Sequence, residues 1–290
     1  MTQLLLAGDR QIDLSTPVCM GILNVTPDSF SDGAQLARDN SAEFKVDLDK
    51  VKFRAEAMID QGATFLDVGG ESTRPGAATV SLQQELDRVL PIIETICSGF
   101  DVCVSVDTSK PEVMRQAIVA GAELINDIRA LSEEGAMEVV SNSNVAVCLM
   151  HMQGQPQTMQ NSISYSDVVD EVLAFLQAKA ISCNEAGIPQ SRLLLDPGFG
   201  FGKTVEHNFR LLAELSRFQQ LEIPLLVGVS RKSMIGAATD RPVDQRLAGS
   251  IAATASALAS GASIIRSHDV AATMDAIRVN SAISNARMSK

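Results

Sequence analysis

Apolar runs of strand length recur along this 290-residue chain, each ending on a polar residue and separated from the next by a helix-like stretch. Ile22-Leu23 ends on Asn24, Phe65-Leu66 on Asp67, Val104-Ser105-Val106 on Asp107, and Leu124-Ile125 on Asn126. Leu149-Met150 runs into His151, Leu193-Leu194-Leu195 into Asp196, and Ile264-Ile265 into Arg266. Near-continuous apolar strands are expected where helices cover both faces of a parallel sheet. The stretches between them carry helical stripes, such as Leu48, Val51, Ala55, Met58 and Ile59. About eight strand–helix units in about 270 residues predict an α/β fold of the (β/α)8 barrel type. A short hairpin over residues 3–14 precedes it. A doubly wound open sheet is the alternative, but its glycine-rich fingerprint belongs after the first strand. Asn24-Val25-Thr26-Pro27-Asp28 stands there instead. No composition shift or Pro/Ser-rich linker divides the chain, so a single domain over residues 1–290 is expected.

In a barrel, residues that follow the strands come to one rim. The rim would then gather carboxylates (Asp107, Asp196), amides (Asn24, Asn126) and cations (Arg266, Lys232), with His268 nearby. Such a group can hydrogen-bond a flat heterocycle and also hold a phosphate. Any one of these residues alone reads as a cap or turn residue. Caps need not all lie on one rim, so the set reads as a site. Two long polar loops, residues 24–33 and 69–76, would join it as lids.

Three segments need finer reading. Asp196-Pro197-Gly198-Phe199-Gly200-Phe201-Gly202-Lys203-Thr204 is not a P-loop, because Pro197 occupies the place of the required glycine. It reads as a turn that lets backbone approach a ligand, with Thr204 capping the next helix. Ser230-Arg231-Lys232-Ser233 is expected to open a helix and offer an anion site. His207 reads as a solvated first-turn residue, and His151 as either a site group or a satisfied structural histidine.

Composition excludes several function classes. A formal charge of −11 disfavours nucleic acid and anionic membranes as partners. With no Trp and one Tyr there is little to stack bases on. No run approaches the ~20 apolar residues of a membrane helix. The start lacks a basic segment and a secretory apolar core, so a cytoplasmic protein is expected. The five cysteines form no C-x-x-C pair and read as buried thiols rather than zinc ligands or disulfides.

The segments Gly21 to Gly33, Asp67 to Gly76, Ser105 to Lys110 and Ile125 to Ile128 resemble signatures of the dihydropteroate synthase family of pterin-binding enzymes. So do Leu149 to Gln160, Asp196 to Lys203, Gly228 to Gly236 and Ile264 to Val270. They span nearly the whole chain in order. The resemblance implies a transferase of folate biosynthesis that condenses 6-hydroxymethyl-7,8-dihydropterin diphosphate with p-aminobenzoate, with Mg²⁺ as cofactor. It implies that Asp107, Asn126, Met150, Asp196, Lys232 and Arg266 hold the pterin. Asn24, Arg266 and His268 would take the diphosphate, with Asn24 also meeting the metal. Thr73, Pro75, Phe201 and Ser233 would shape the p-aminobenzoate pocket, while Asp32, Arg74 and Lys232 would act in catalysis. The partners implied are these small molecules and a second copy in a homodimer. Ser267 stands where the family usually has Val, and the first loop lacks the family's second glycine after Gly33 and is longer. A corrinoid-linked pterin methyltransferase and a silent pterin-binding paralogue are the alternatives. The former would need neither Arg266-Ser267-His268 nor Thr73-Arg74-Pro75.

Overall fold

The protein is described here by a computed structural model covering residues 4–26, 46–72 and 79–288. A two-stranded antiparallel hairpin, β1 (Leu4–Ala7) and β2 (Arg10–Asp13), comes first. Eight parallel strands follow: β3 (Val18–Asn24), β4 (Ala63–Gly69), β5 (Cys103–Asp107), β6 (Leu124–Asp127), β7 (Ala146–Met150), β8 (Leu193–Asp196), β9 (Leu226–Val227) and β10 (Ile264–Ser267). Their order is β8-β7-β6-β5-β4-β3-β10-β9. A parallel bridge from Leu195 to Leu225 brings β8 back to the start of β9, and the Leu195 amide donates to the Pro224 carbonyl at 3.0 Å. The sheet is thereby a closed (β/α)8 barrel, as the unit count predicts.

The outer helices are α1 (Leu48–Asp60), α2 (Leu82–Gly99), α3 (Pro111–Val119), α4 (Ala136–Ser141), α5 (Val168–Glu185), α6 (Val205–Ala213), α7 (Ser233–Thr239), α8 (Leu247–Ala259) and α9 (Val270–Met288). Several begin on side-chain caps, the expected Thr204 at α6 among them. Asp47 accepts from Asp49 and Lys50 at α1, and Ser81 forms a capping box with Gln84 at α2. The helical stretch after Thr204 splits in two. The α6 helix stops at Ala213, and a 3-10 turn runs from Leu215 to Leu221. Glu222 then adopts the left-handed conformation at φ 55° and ends it.

Period-two alternation sorts the strand residues into two cores. Leu23, Leu66, Val104, Ile125, Leu149 and Ile265 face the helices. Met20, Phe65, Cys103, Leu124, Leu194 and Ile264 point into the lower half of the barrel, where the hairpin's Leu5, Ile12 and Leu14 meet them. The hairpin therefore plugs the end opposite the rim. Each of these three side chains contributes ~1.5–3 kcal/mol by leaving water. Arg10 ties the plug to the strand-entry loops through Glu123 at 2.8 Å and Asp101 at 2.6 Å.

Four of the five cysteines are buried as expected, and burial pushes the Cys19 thiol up to about 12. Cys97 is exposed. No described helix is long and apolar enough to cross a membrane.

Candidate active site

Above the apolar layer, the same alternation turns polar residues inward. β4 presents Asp67 two positions before its end, β5 presents Ser105 and Asp107, and β6 presents Asn126. Asp67 is thus not the strand-end residue expected from sequence; β4 continues to Gly69. The rim encloses a cavity of about 570 Å³. Asn24, Asp107, Asn126, Met150, Asp196, Phe201, Lys232, Ser233, Arg266 and His268 all line it. Ten expected site residues from seven stretches of sequence therefore share one cavity. The expected Asp32, Thr73, Arg74 and Pro75 lie outside the described residues.

One end of the cavity is a network of buried charge. Arg266 donates from Nε to Asp67 at 2.6 Å and from Nη2 to Asp107 at 3.0 Å. Burial pushes the Asp107 carboxyl up to about 7, against the pull of Arg266 and with help from the like charge of Asp67. Asp196, also raised by burial, is held partly in check by Lys232 and by its bond from the Gly198 amide at 2.7 Å. Burial lowers Lys232 to about 8, against the attraction of Asp196. The Lys232 ammonium donates to the Phe199 carbonyl and stands 4.8 Å from the Phe201 ring centroid. It thereby joins the polar end of the cavity to an aromatic wall.

That wall is the turn following β8, and its shape follows from glycine. Gly198 has φ +72°, and a Cβ there would lie 1.8 Å from the His151 carbonyl oxygen. Beneath the turn, Lys203 is buried among four acceptors. They are His151 Nδ1 and the Gly198 carbonyl at 2.9 Å, the Phe201 carbonyl at 3.1 Å and the His151 carbonyl at 3.3 Å. Burial and the Lys203 charge lower His151 to about 3, so its ring is neutral and accepts at Nδ1. Its ring packs edge-on against Phe175 at 4.9 Å. His151 is therefore the structural histidine of the two readings and does not line the cavity. His207 is not simply solvated. It completes the Thr204 capping box and meets the Tyr165 ring at 5.2 Å.

The cavity is also lined by His268, Ser230 and Asn24. The Ser230 hydroxyl and His268 Nδ1 are 3.0 Å apart, and the His268 amide donates to the same hydroxyl at 3.2 Å. Beside them Arg231 sits at φ 57°. Its guanidinium grips Asp269 at 2.9 and 2.5 Å, and its amide donates to Ser250 at 2.9 Å. These bonds offset the strain of a left-handed non-glycine residue. They also tie the turn bearing Lys232 and Ser233 to the turn bearing His268. Sequence reading named Ser230 and Arg231 only as members of the expected anion turn, without roles of their own, and missed Arg246, which also lines the cavity. The unusual Ser267 is buried, and its hydroxyl accepts from the Asp269 amide at 3.1 Å and from Thr273 at 2.9 Å. It closes the first turn of α9 without reaching the cavity.

The barrel floor adjoining Asn24 is open for a further reason. A Cβ on Gly69 would lie 2.9 Å from Asn24 Oδ1 and 3.7 Å from Asp107 Cβ. Glycine there keeps the Asn24 amide oxygen at the rim.

Known proteins resemble the chain over nearly its whole length. Residues 20–268 match the family described as pterin binding enzyme. Dihydropteroate synthase of Haemophilus influenzae is 52% identical over 282 residues, covering 97% of this chain and 99% of the relative. Dihydropteroate synthase of Escherichia coli K12 is 52% identical over 286 residues, covering 99% and 98%. A crystal structure of the Yersinia pestis enzyme with a sulfonamide drug superposes at TM-score 0.91, with 50% identity and coverage of 97% and 99%. One of the Burkholderia cenocepacia enzyme complexed with 7,8-dihydropteroate gives TM-score 0.87 at 42% identity, covering 100% and 99%.

Proposed function

The chain belongs to the pterin-binding enzyme family, and from that premise we propose how its rim performs the reaction of a dihydropteroate synthase. That reaction is a transferase step of folate biosynthesis. The p-aminobenzoate nitrogen forms a bond to the pterin methylene, and the bond from that carbon to the diphosphate oxygen breaks. The amine proton leaves to solvent, and diphosphate departs with the electron pair. The aryl amine is neutral near pH 7, so the site needs no strong base.

The pterin lies at the charged end. Asp196 accepts from its ring N–H and exocyclic amine, and such charge-assisted bonds are worth about 1.5–3 kcal/mol each. Asn126 and Asp107 take the remaining edge, Met150 packs on the ring, and Arg266 covers its face. Arg266 and His268 receive the diphosphate with Asn24. What supports this reading is that Arg266, held by Asp67 and Asp107, lines the same cavity as His268 two positions on. Lys232 borders both substrates, and Phe201 and Ser233 receive the ring and carboxylate of p-aminobenzoate. Asp32, Thr73, Arg74 and Pro75 complete the proposal through the family resemblance alone.

Mg²⁺ suits the donor set near Asn24. Magnesium keeps several waters and takes few protein oxygens when phosphates supply the rest. Among the described residues no acidic cluster forms a separate cage, and the Asn24 amide oxygen is a hard donor beside the diphosphate end. Bound there, the ion would neutralise charge on the leaving group.

The proposal extends to a single domain over residues 1–290, a cytoplasmic location and a homodimer. On α8 and α9, Leu258 and Ile277 are buried within the barrel's own shell. Leu247, Val279 and Ile283 on α8 and α9 remain exposed and supply the surface for a second copy.

The observation that carries the reading is the joining of Asp196, Lys232, Arg266 and His268 in one cavity. A diphosphate-release assay with both substrates tests it. Mg²⁺-dependent turnover is expected, and none with either substrate omitted. Silence with both substrates and Mg²⁺ present would refute it.

A further inference from the structure

Asp67 does not line the cavity, yet it accepts from more donors than Asp107 or Asp196, which do. Its side chain is fully buried. Oδ1 accepts from the Ser105 hydroxyl at 2.5 Å, and Oδ2 accepts from Asn126 Nδ2 at 3.0 Å and Arg266 Nε at 2.6 Å. The charge thus has three donors, so its burial is compensated. Two of those donors belong to residues that do line the cavity.

Geometry constrains both residues. An arginine side chain alone has many rotamers. Here Nε is held by Asp67 on β4 and Nη2 by Asp107 on β5, which sets the guanidinium plane across two adjacent strands. The remaining N–H edge then faces the cavity. For Asn126, an ionised carboxylate accepts only from Nδ2, so the amide oxygen must turn the other way. The cavity is therefore offered an acceptor at that point, whatever the ligand.

Resting on the pterin diphosphate reading above, we propose that Asp67 is a positioning residue. It aims the Arg266 guanidinium and fixes the Asn126 amide from below the cavity floor, without touching substrate. Ser105 holds the carboxylate in the orientation that serves both. A second consequence is electrostatic. Asp107 is faced by Asp67 from β4, Arg266 from β10, Asp127 from β6, Glu85 from α2 and Lys232 from the turn after β9. Removing the Asp67 charge takes away a repulsion and leaves Arg266 to Asp107 alone. Both changes favour the ionised Asp107.

The test is Asp67→Asn, which keeps the shape but places an N–H against donors. With full-length protein and Mg²⁺, kcat/KM for the pterin diphosphate is expected to fall roughly 10- to 100-fold. The KM for p-aminobenzoate is expected to stay within about twofold, because neither Phe201 nor Ser233 contacts Asp67. Calorimetric binding of the pterin diphosphate across pH adds a readout that lost packing would not move. The wild-type inflection belongs near pH 7, where Asp107 titrates, and Asp67→Asn should shift it down. An equal rise in both KM values, or an unmoved inflection, would overturn the proposal. If Asp67→Asn does not fold by circular dichroism, Ser105→Ala carries the test. It should weaken pterin diphosphate binding about threefold or more, and wild-type affinity would overturn the proposal. Wild-type protein that neither binds nor turns over the pterin diphosphate would instead refute the functional reading. An active wild type with an indifferent Asp67→Asn strikes only the positioning role.

Discussion

His151 should make this barrel sensitive to acid in a way that one substitution can isolate. Burial beside Lys203 holds its imidazole at about 3, whereas the unfolded chain returns it to 6.5. Native protein therefore refuses a proton that unfolded protein accepts. The stabilisation is fully present above pH 6.5 and is lost as pH falls toward 3. At pH 5 the unfolded histidine is almost wholly protonated and the native one is not, so the loss is about 2 kcal/mol relative to pH 8. Asp107 works in the opposite direction. With a native value of about 7 against an ordinary 3.8, its contribution grows by about 2.5 kcal/mol over the same interval. Asp196 and Lys232 are shifted by burial too, so the test compares two proteins that share those groups. His151→Asn removes one side only. Its amide oxygen can still accept from Lys203, while the lost ring packing on Phe175 lowers stability equally at both pH values. Urea unfolding of both proteins at pH 8 and pH 5 measures the difference. The variant should gain about 2 kcal/mol on the wild type when moved to pH 5. Parallel profiles for the two proteins would refute the buried, neutral histidine.

Three further outcomes are expected. Asp196→Ala should weaken pterin diphosphate binding by ~100-fold, the loss of two charge-assisted bonds tempered by water entry, while Ser233→Ala should mainly raise the KM for p-aminobenzoate. Equal effects of both changes on both substrates, in steady-state kinetics, would contradict the two subsites. Gly198→Ala places a Cβ 1.8 Å from the His151 carbonyl at φ +72°, so it should cost more than about 3 kcal/mol in a denaturation curve. Gly69→Ala brings a Cβ to 2.9 Å from Asn24 Oδ1, a side chain that can yield. The fold should survive with a near-native Tm, and the Mg²⁺ concentration for half-maximal activity should rise several-fold.

Much of the site was legible because several strands end where their apolar runs end. Asn24 and Asp107 close β3 and β5, and Asp196 closes β8, as their runs suggest. Asp67 was harder to read. It reads as the end of Phe65-Leu66, whereas β4 runs on through Val68 and Gly69, and only the inward alternation of β4 turns it toward Arg266, 199 positions away. The shortness of β9 was hidden for a related reason. Leu225 to Val229 reads as one run, yet Pro224 offers no N–H and the ladder with β10 holds only Leu226 and Val227.

Local sequence thus determined the alternation of strand and helix, the caps that begin α1, α2 and α6, and the barrel that eight such units must close into. Those features depend on near neighbours, whose spacing the chain itself carries. The tertiary structure decided which polar residues meet. It put Asp67 beneath Arg266 and Asn126, Lys203 beneath the Phe199–Phe201 turn, and His151 in the wall instead of the cavity. These outcomes rest on strand register and burial across the barrel, and on carboxylates and cations that shift one another only once they share a site from which water is excluded.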